Sequence, residues 1–154
     1  MGKEIERKFL VVGNQFKKSA KGIFCRQGYL CFENENTFRV RIIGDNGFLT
    51  IKGKSKGISR LEFEYEIPFD EAVEMLTELC DKQIEKLRYT IEFEGFYWEV
   101  DEFLGKNKGL VIAEIELERE DQFFKKPSWI GEEVSYDIRF QNLQLAINPY
   151  ENWK

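Results

Sequence analysis

The chain opens with two carboxylates and an ammonium at alternate positions, Glu4, Glu6 and Lys8 in MGKEIERKFL. In an extended strand side chains two apart share a face. The same device returns along the chain: Arg39 and Arg41 in TFRVRII, Glu62 and Glu64 in LEFEYEI, Lys86 and Arg88 in KLRY, Glu114 and Glu116 in AEIELE. Like charges about 4 Å apart repel by up to about 4 kcal/mol at an effective dielectric near 20. One arrangement that tolerates them is an open sheet with a wetted charged face, acidic strands beside basic ones. The other is a closed barrel whose lumen is lined by charge, with basic strands forming one wall and acidic strands the other. A single pair fits the first; recurrence on five strands favours the second. Such a lumen suits a polyanion held together with divalent cations. Arginine and lysine bind phosphate oxygens, and carboxylates bind hard cations such as Mg²⁺ or Mn²⁺. The 154 residues contain no histidine, which removes Ser-His and Cys-His nucleophiles and any His-ligated metal. No Walker motif or glycine-rich dinucleotide turn is present.

The elements that must position these groups are mostly strands. Residues 3–12 read as the first, Asn14 to Ala20 as a short helical stretch, and Ile23 to Phe32 as a strand bent near Gly28. Residues 37–43 and 48–52 flank the turn Gly44-Asp45-Asn46-Gly47, a hairpin signal. Residues 53–60 read as a mobile basic loop. In residues 61–67, Leu61, Phe63, Tyr65 and Ile67 alternate with glutamates and are expected to be buried. Pro68 ends that strand; Asp70 is the expected N-cap of an amphipathic helix over 71–83, with Ala72, Val73, Leu76, Leu79 and Cys80 on one face. Alternation resumes over 86–95, 96–103 and 109–118. Residues 119–125 are expected to form a helical turn or two, 134–139 a turn-rich linker, and 141–147 a short final helix. About eight strands and few helices give an α+β, mainly β, class.

Composition narrows the function classes. The length fits one domain, residues 1–154. A net charge of −5 argues against a general nucleic-acid binder. No apolar run of about 18 residues predicts a membrane span, and no secretory signal is visible. Cys25, Cys31 and Cys80 are odd in number and lack CxxC spacing, so neither a disulfide framework nor a zinc site is expected and a cytoplasmic home is.

These segments resemble the CYTH superfamily, the triphosphate tunnel metalloenzymes. The ExExK signature is Glu4-Ile5-Glu6-Arg7-Lys8, and FRVR, TIKG, LEFEYEI, KLRY, WEVDEF, AEIELE and the tail EVSYDIRFQNLQLA follow in order. The resemblance implies an eight-stranded antiparallel closed β-barrel, a tunnel, with a few helices packed outside. It implies a triphosphate bound by Lys8, Arg39, Arg41, Lys52, Lys86 and Arg88, with Arg139 adding a contact and Tyr29 a candidate lid. It places Glu4, Glu6, Asp101, Glu114 and Glu116 around one or two ions of Mg²⁺ or Mn²⁺, with Glu62 and Glu64 lining the tunnel or joining the metal site. Lys8, Glu6, Arg41 and Glu116 form the implied catalytic set. The compact chain is most similar to the inorganic triphosphatases of the family, which implies hydrolysis of tripolyphosphate to pyrophosphate and phosphate. A class IV-type adenylyl cyclase and a non-catalytic polyphosphate-binding module are the alternatives. The implied partner is a small-molecule triphosphate, with no nucleic acid and no membrane; a homodimer is compatible with the reading.

Overall fold

The computed structural model describes residues 2–153. Nine strands are present among them: β1 (Lys3–Val11), β2 (Ile23–Glu33), β3 (Asn36–Ile43), β4 (Asn46–Lys52), β5 (Ser59–Ile67), β6 (Lys82–Phe93), β7 (Phe96–Phe103), β8 (Val111–Glu116) and β9 (Ile130–Glu133). Every pairing is antiparallel. The neighbour order β5-β4-β3-β2-β6-β7-β8-β1 closes on itself, because β1 also pairs with β5. Lys3–Ile5 bond to β5 and Glu6–Leu10 to β8, so β1 is the strand that shuts the ring. The expected eight-stranded closure is therefore present. The ninth strand, β9, lies in a stretch where no strand was expected. It adds to β1 beside Phe9 and Val11, beyond the end of the β5 pairing.

The alternating sequence sorts each strand into a charged lumen face and an apolar outer face. Trp98, Phe9, Phe16, Ile115 and Val100 form the main core on the outer face of β1, β6, β7 and β8. The chain segments after β1 and β8 cover it with Phe16, Phe124 and Trp129. Trp98 meets Phe9 and Phe124 edge to face, each at 5.7 Å. A second cluster, with Phe103, Ile112, Val134, Phe140 and Leu145, seats the C-terminal segment.

Helix α1 (Phe69–Leu79) packs on β2, β3 and β4 through Ala72 and Leu76. Two glycines set how closely it sits. A Cβ on Gly28 would stand 2.7 Å from Cys80 Cβ, and one on Gly47 2.8 Å from Ala72 Cβ. The expected N-cap at Asp70 is corrected: α1 starts at Phe69 after Pro68, and Asp70 and Glu71 lie in its first turn, where acids favour the helix dipole. Residues 119–125 form no helix; they run as bends and turns before Phe124 enters the core. The final helix α2 (Asn142–Ile147) forms as expected. A third correction concerns β5. Leu61, Phe63 and Tyr65 are 57%, 43% and 57% exposed, not buried, because no element among the described residues covers that face. No helix among the described residues is long and apolar enough to cross a membrane.

Candidate active site

Ring closure sorts the lumen charges by neighbour. Going round, β6 brings Lys86 and Arg88, β2 brings the uncharged Gln27 and Tyr29, β3 brings Arg39 and Arg41, and β4 brings Lys52. The other arc carries acids: Glu62 and Glu64 on β5, Glu4 and Glu6 on β1, Glu114 and Glu116 on β8, Glu99 and Asp101 on β7. Lys8 on β1 and Arg60 on β5 are basic side chains among those acids. The two arcs enclose a cavity of about 200 Å³ lined by Glu4, Glu6, Arg39, Arg41, Lys52 and Glu116, among others.

Where the arcs meet, acids and bases neutralise one another. At the β6/β7 seam, Arg88 donates to both Asp101 oxygens at 2.8 and 2.9 Å, and Lys86 Nζ lies 2.8 Å from the same carboxylate. Lys86 and Asp101 are wholly enclosed. Burial opposes the Asp101 charge, but Arg88 and Lys86 outweigh it and hold this carboxyl far below its usual range. At the β4/β5 seam the pairs are looser and open to the cavity. Lys52 Nζ is 3.1 Å from Glu4 and 3.2 Å from Glu62, and Glu64 takes Arg41 at 3.2 Å and Arg39 at 3.5 Å.

Away from the seams, groups lack partners. Among the described residues, Glu6 and Glu116 are the two lumen carboxylates without a basic group within 4.0 Å. They stand opposite each other on β1 and β8, as Glu99 and Glu114 do on β7 and β8; like charges directly opposite destabilise a sheet. Burial, with Glu114 and Glu4 nearby, pushes the Glu6 carboxyl up to about 8. Burial, with Glu4 nearby, raises Glu116 and, against the pull of Lys52, Glu62. Burial opposes the Glu114 charge, yet Lys8 and Arg88 hold it at about 2. On the basic arc, Arg39 Nε and Arg41 Nε are buried donors with no acceptor. Burial, then Arg39 and Arg88, pull the Arg41 pKa down. Orphaned donors thus face orphaned carboxylates across one cavity, and an anion with a cation would satisfy both.

Glu4, Glu62 and Glu116 each bring one oxygen to within 4.8 Å of the others. An all-carboxylate set fits a hard divalent cation. Of the acids expected around metal, these three converge. Glu6 opens onto the same cavity, Glu64 is tied to Arg39, Arg41 and Thr50, Glu114 to Lys8 and Arg88, and Asp101 is locked in its seam. Lys8 Nζ lies 3.5 Å from Glu114 and donates to the Phe140 carbonyl at 3.3 Å. Arg139 stands apart: it is exposed, bound to Asp137 at 2.6 Å and laid over Trp153, and it does not line the cavity. Tyr29 is a buried strand residue whose hydroxyl accepts from Gln27 Nε2 at 3.2 Å.

Sequence reading did not single out Glu99, Arg60, Gln27 or Asn142. Glu99 and Arg60 carried a signal, each two residues before a selected acid on the same face, Asp101 and Glu62. Arg60 belongs to β5 rather than to a loop, opposite Glu4 on β1. Gln27 was masked by Gly28, and Asn142 reaches the cavity from α2, which has no strand alternation.

The CYTH domain family matches residues 2–145. This chain belongs to the CYTH domain family. A CYTH relative from Acetivibrio thermocellus, described as an inorganic triphosphatase, is 61% identical over all of this chain and 99% of its own. Another from Nitrosomonas europaea, described in the same words, is 37% identical over 94% of this chain and 97% of its own. The crystal structure of an inorganic triphosphatase superposes with a TM-score of 0.68 at 35% identity, covering 94% of each chain. Solved chains described as putative adenylyl or adenylate cyclases, one of them with a dominant triphosphatase activity, are 15–20% identical, a likeness that shows the fold alone.

Proposed function

We propose that this CYTH protein, a single domain over residues 1–154, is a cytoplasmic, metal-dependent hydrolase that cleaves inorganic tripolyphosphate to pyrophosphate and phosphate. The observation that carries the reading is the pairing of unsatisfied Arg39 and Arg41 donors with unpaired Glu6 and Glu116 carboxylates across the cavity. The two relatives and the solved structure named as inorganic triphosphatases support it.

Arg39, Arg41 and Arg88 bind phosphate oxygens and stabilise charge that develops in the transition state. Lys52 joins them once Glu4 and Glu62 turn from it. Lys86, enclosed behind Arg88, holds Asp101 and with it the angle of the Arg88 fork. Glu4, Glu62 and Glu116 are the residues that would hold Mg²⁺ or Mn²⁺. When bound, such an ion supplies Lewis-acid polarisation and lowers the pKa of a ligated water. Glu6 opens onto the cavity and holds its proton in the metal-free protein. A cation held by Glu4, Glu62 and Glu116 would favour its ionised form, which would then take the proton of the attacking water, with Lys8 beside it at the reacting end. Arg139 is left out of the phosphate set because it pairs with Asp137 outside the cavity.

Phosphorus NMR of the products from tripolyphosphate and from ATP, with Mg²⁺ and with Mn²⁺, tests the reading. Pyrophosphate with orthophosphate from tripolyphosphate is expected. Cyclic AMP from ATP would make the protein a cyclase, and no turnover of any triphosphate would leave a binding module. Glu116→Gln is expected to abolish turnover while the melting temperature stays at or above that of the wild type, since a repelled carboxylate is removed. A variant that keeps near wild-type rate at limiting metal would contradict the metal assignment.

A further inference from the structure

The apolar outer face of the ring is largely covered by α1 and by the segments that follow β1, β8 and β9. The outer face of β5 is not. Leu61, Phe63 and Tyr65 stand in a row there, with the half-buried Leu49 and Ile51 of β4 across from Tyr65 and Phe63. Aromatic side chains carry 150–250 Å² each, so this row exposes on the order of 300 Å² of apolar surface, the size that marks an interaction site.

Its two flanks differ in sign. On the β4 side, α1 exposes Asp70, Glu71, Glu74 and Glu78 and has no basic residue between 69 and 79. On the β1 side Lys3 sits opposite Leu61, and the loop entering β5 exposes Lys54 and Lys56. We propose that this chain forms a homodimer in which the β5 faces of two copies pack together about a two-fold axis that runs along the β5 strands. Such an axis lays each flank of one copy on the opposite flank of the other, so each acidic α1 meets the partner's Lys3 and Lys56. A surface that is apolar in the middle and opposite in sign at its edges is complementary to itself, which an isologous contact requires.

Other occupants fit less well. An added peptide strand needs a free edge, and both edges of β5 are bonded, to β4 and to β1. An anionic lipid surface would be repelled by the acidic helix. A stable interface buries about 800 Å² per partner, so the apolar centre alone is small and the charged rim must contribute. Association is therefore reversible, in the micromolar range, and weakened by salt. The lumen residues Glu62 and Glu64 alternate with this row on the same strand, so the contact would also stiffen the β5 wall of the cavity.

Sedimentation velocity over a concentration series, with the full chain at low salt, tests the proposal. The weight-average mass is expected to rise from monomer towards dimer. Phe63→Glu is expected to stay monomeric throughout with an unchanged circular dichroism spectrum. Lys3→Glu/Lys56→Glu and Glu71→Lys/Glu74→Lys are each expected to associate more weakly than wild type, and an equimolar mixture of the two more tightly than either alone. The proposal is overturned by a wild-type chain that is monomeric up to hundreds of micromolar, by a Phe63→Glu chain that dimerises like wild type, or by a mixture no tighter than its components.

Discussion

The two seams of the lumen use the same chemistry to different ends. At β6/β7, Lys86 and Asp101 are enclosed and joined by short bonds, and Arg88, held by Asp101, reaches the cavity. At β4/β5, Lys52, Arg39 and Arg41 meet Glu4, Glu62 and Glu64 through longer contacts that face the cavity. Exposure of the acid decides what each pair does: the Asp101 side chain is 3% exposed, those of Glu62 and Glu64 24% and 34%. Removing one partner from an enclosed pair strands a charge in protein, and the fold suffers. An open pair can exchange its partner for a ligand at little cost, and its loss is felt in binding. The closed seam is thus a frame for Arg88, and the open seam is a reserve of donors.

The largest expected effect breaks the closed seam. Asp101→Asn leaves Lys86 and Arg88 buried without their shared counter-ion and should destabilise by about 3–5 kcal/mol. In a chain of this size that is a fall in Tm on the order of 10 °C, read by calorimetry in the absence of ligand. If stability is unchanged, the seam is better solvated than its geometry shows, and the contrast between the seams fails.

The next effect belongs to the open seam. Arg39→Ala and Arg41→Ala should leave Tm near wild type but cost roughly 1.5–3 kcal/mol in substrate capture, about 10- to 150-fold in KM or Kd. Steady-state kinetics with tripolyphosphate reads this directly. Unaltered constants in both variants would remove the arginines from the substrate site.

The smallest effect is a pH profile of stability in metal-free protein. Glu114, at about 2, and Asp101 are held below their ordinary values. The stability they contribute is present above an unfolded pKa near 4.5 and is lost as pH falls towards 2. Glu6 acts in the opposite sense. Between about 4.5 and 8 the unfolded chain carries its carboxylate ionised while the folded chain retains the proton, so stability declines as pH rises through that window. Glu4, Lys8, Lys52 and Glu114 face it there, and the raised Glu62 and Glu116 act in the same direction. Denaturant midpoints should therefore peak near pH 4–5, below the usual optimum, and Glu6→Gln should flatten the upper slope. A midpoint that climbs from pH 5 to 8 would contradict the crowding of the acidic arc.

Much of this contrast is legible in the sequence, and the limits have physical causes. Strand alternation shows which residues share a face, so FRVR, LEFEYEI and AEIELE announce lumen positions directly. Neighbour relations are not local. The turn at Gly95 makes the β6/β7 pairing local, but nothing in KLRY says that Asp101 closes off Lys86 while Lys52 keeps access to the cavity. The resemblance puts Lys86 on the substrate; in the structure its side chain is fully buried and bonded to Asp101. β9 has only four residues and lacks alternation, and its pairing with β1 supplies what its sequence does not. The row on β5 looks like core because its alternation is faultless; whether anything covers an apolar face depends on distant chain. Arg60 looked like loop because the preceding glycine, lysine and serine residues hide the start of β5.

The central claim is that the open side of the lumen is incomplete without an anion and a cation together. Differential scanning fluorimetry with tripolyphosphate and Ca²⁺, added separately and jointly at low ionic strength, tests it most directly. A ligand that binds only the folded state stabilises by about 2.7 kcal/mol at a hundredfold excess over Kd, a rise in Tm on the order of 5–10 °C here. The joint shift is expected to exceed the sum of the separate shifts, and to shrink in Arg39→Ala and in Glu116→Gln but not in Phe63→Glu. A flat Tm with both components present would contradict the account, whatever the turnover assays show.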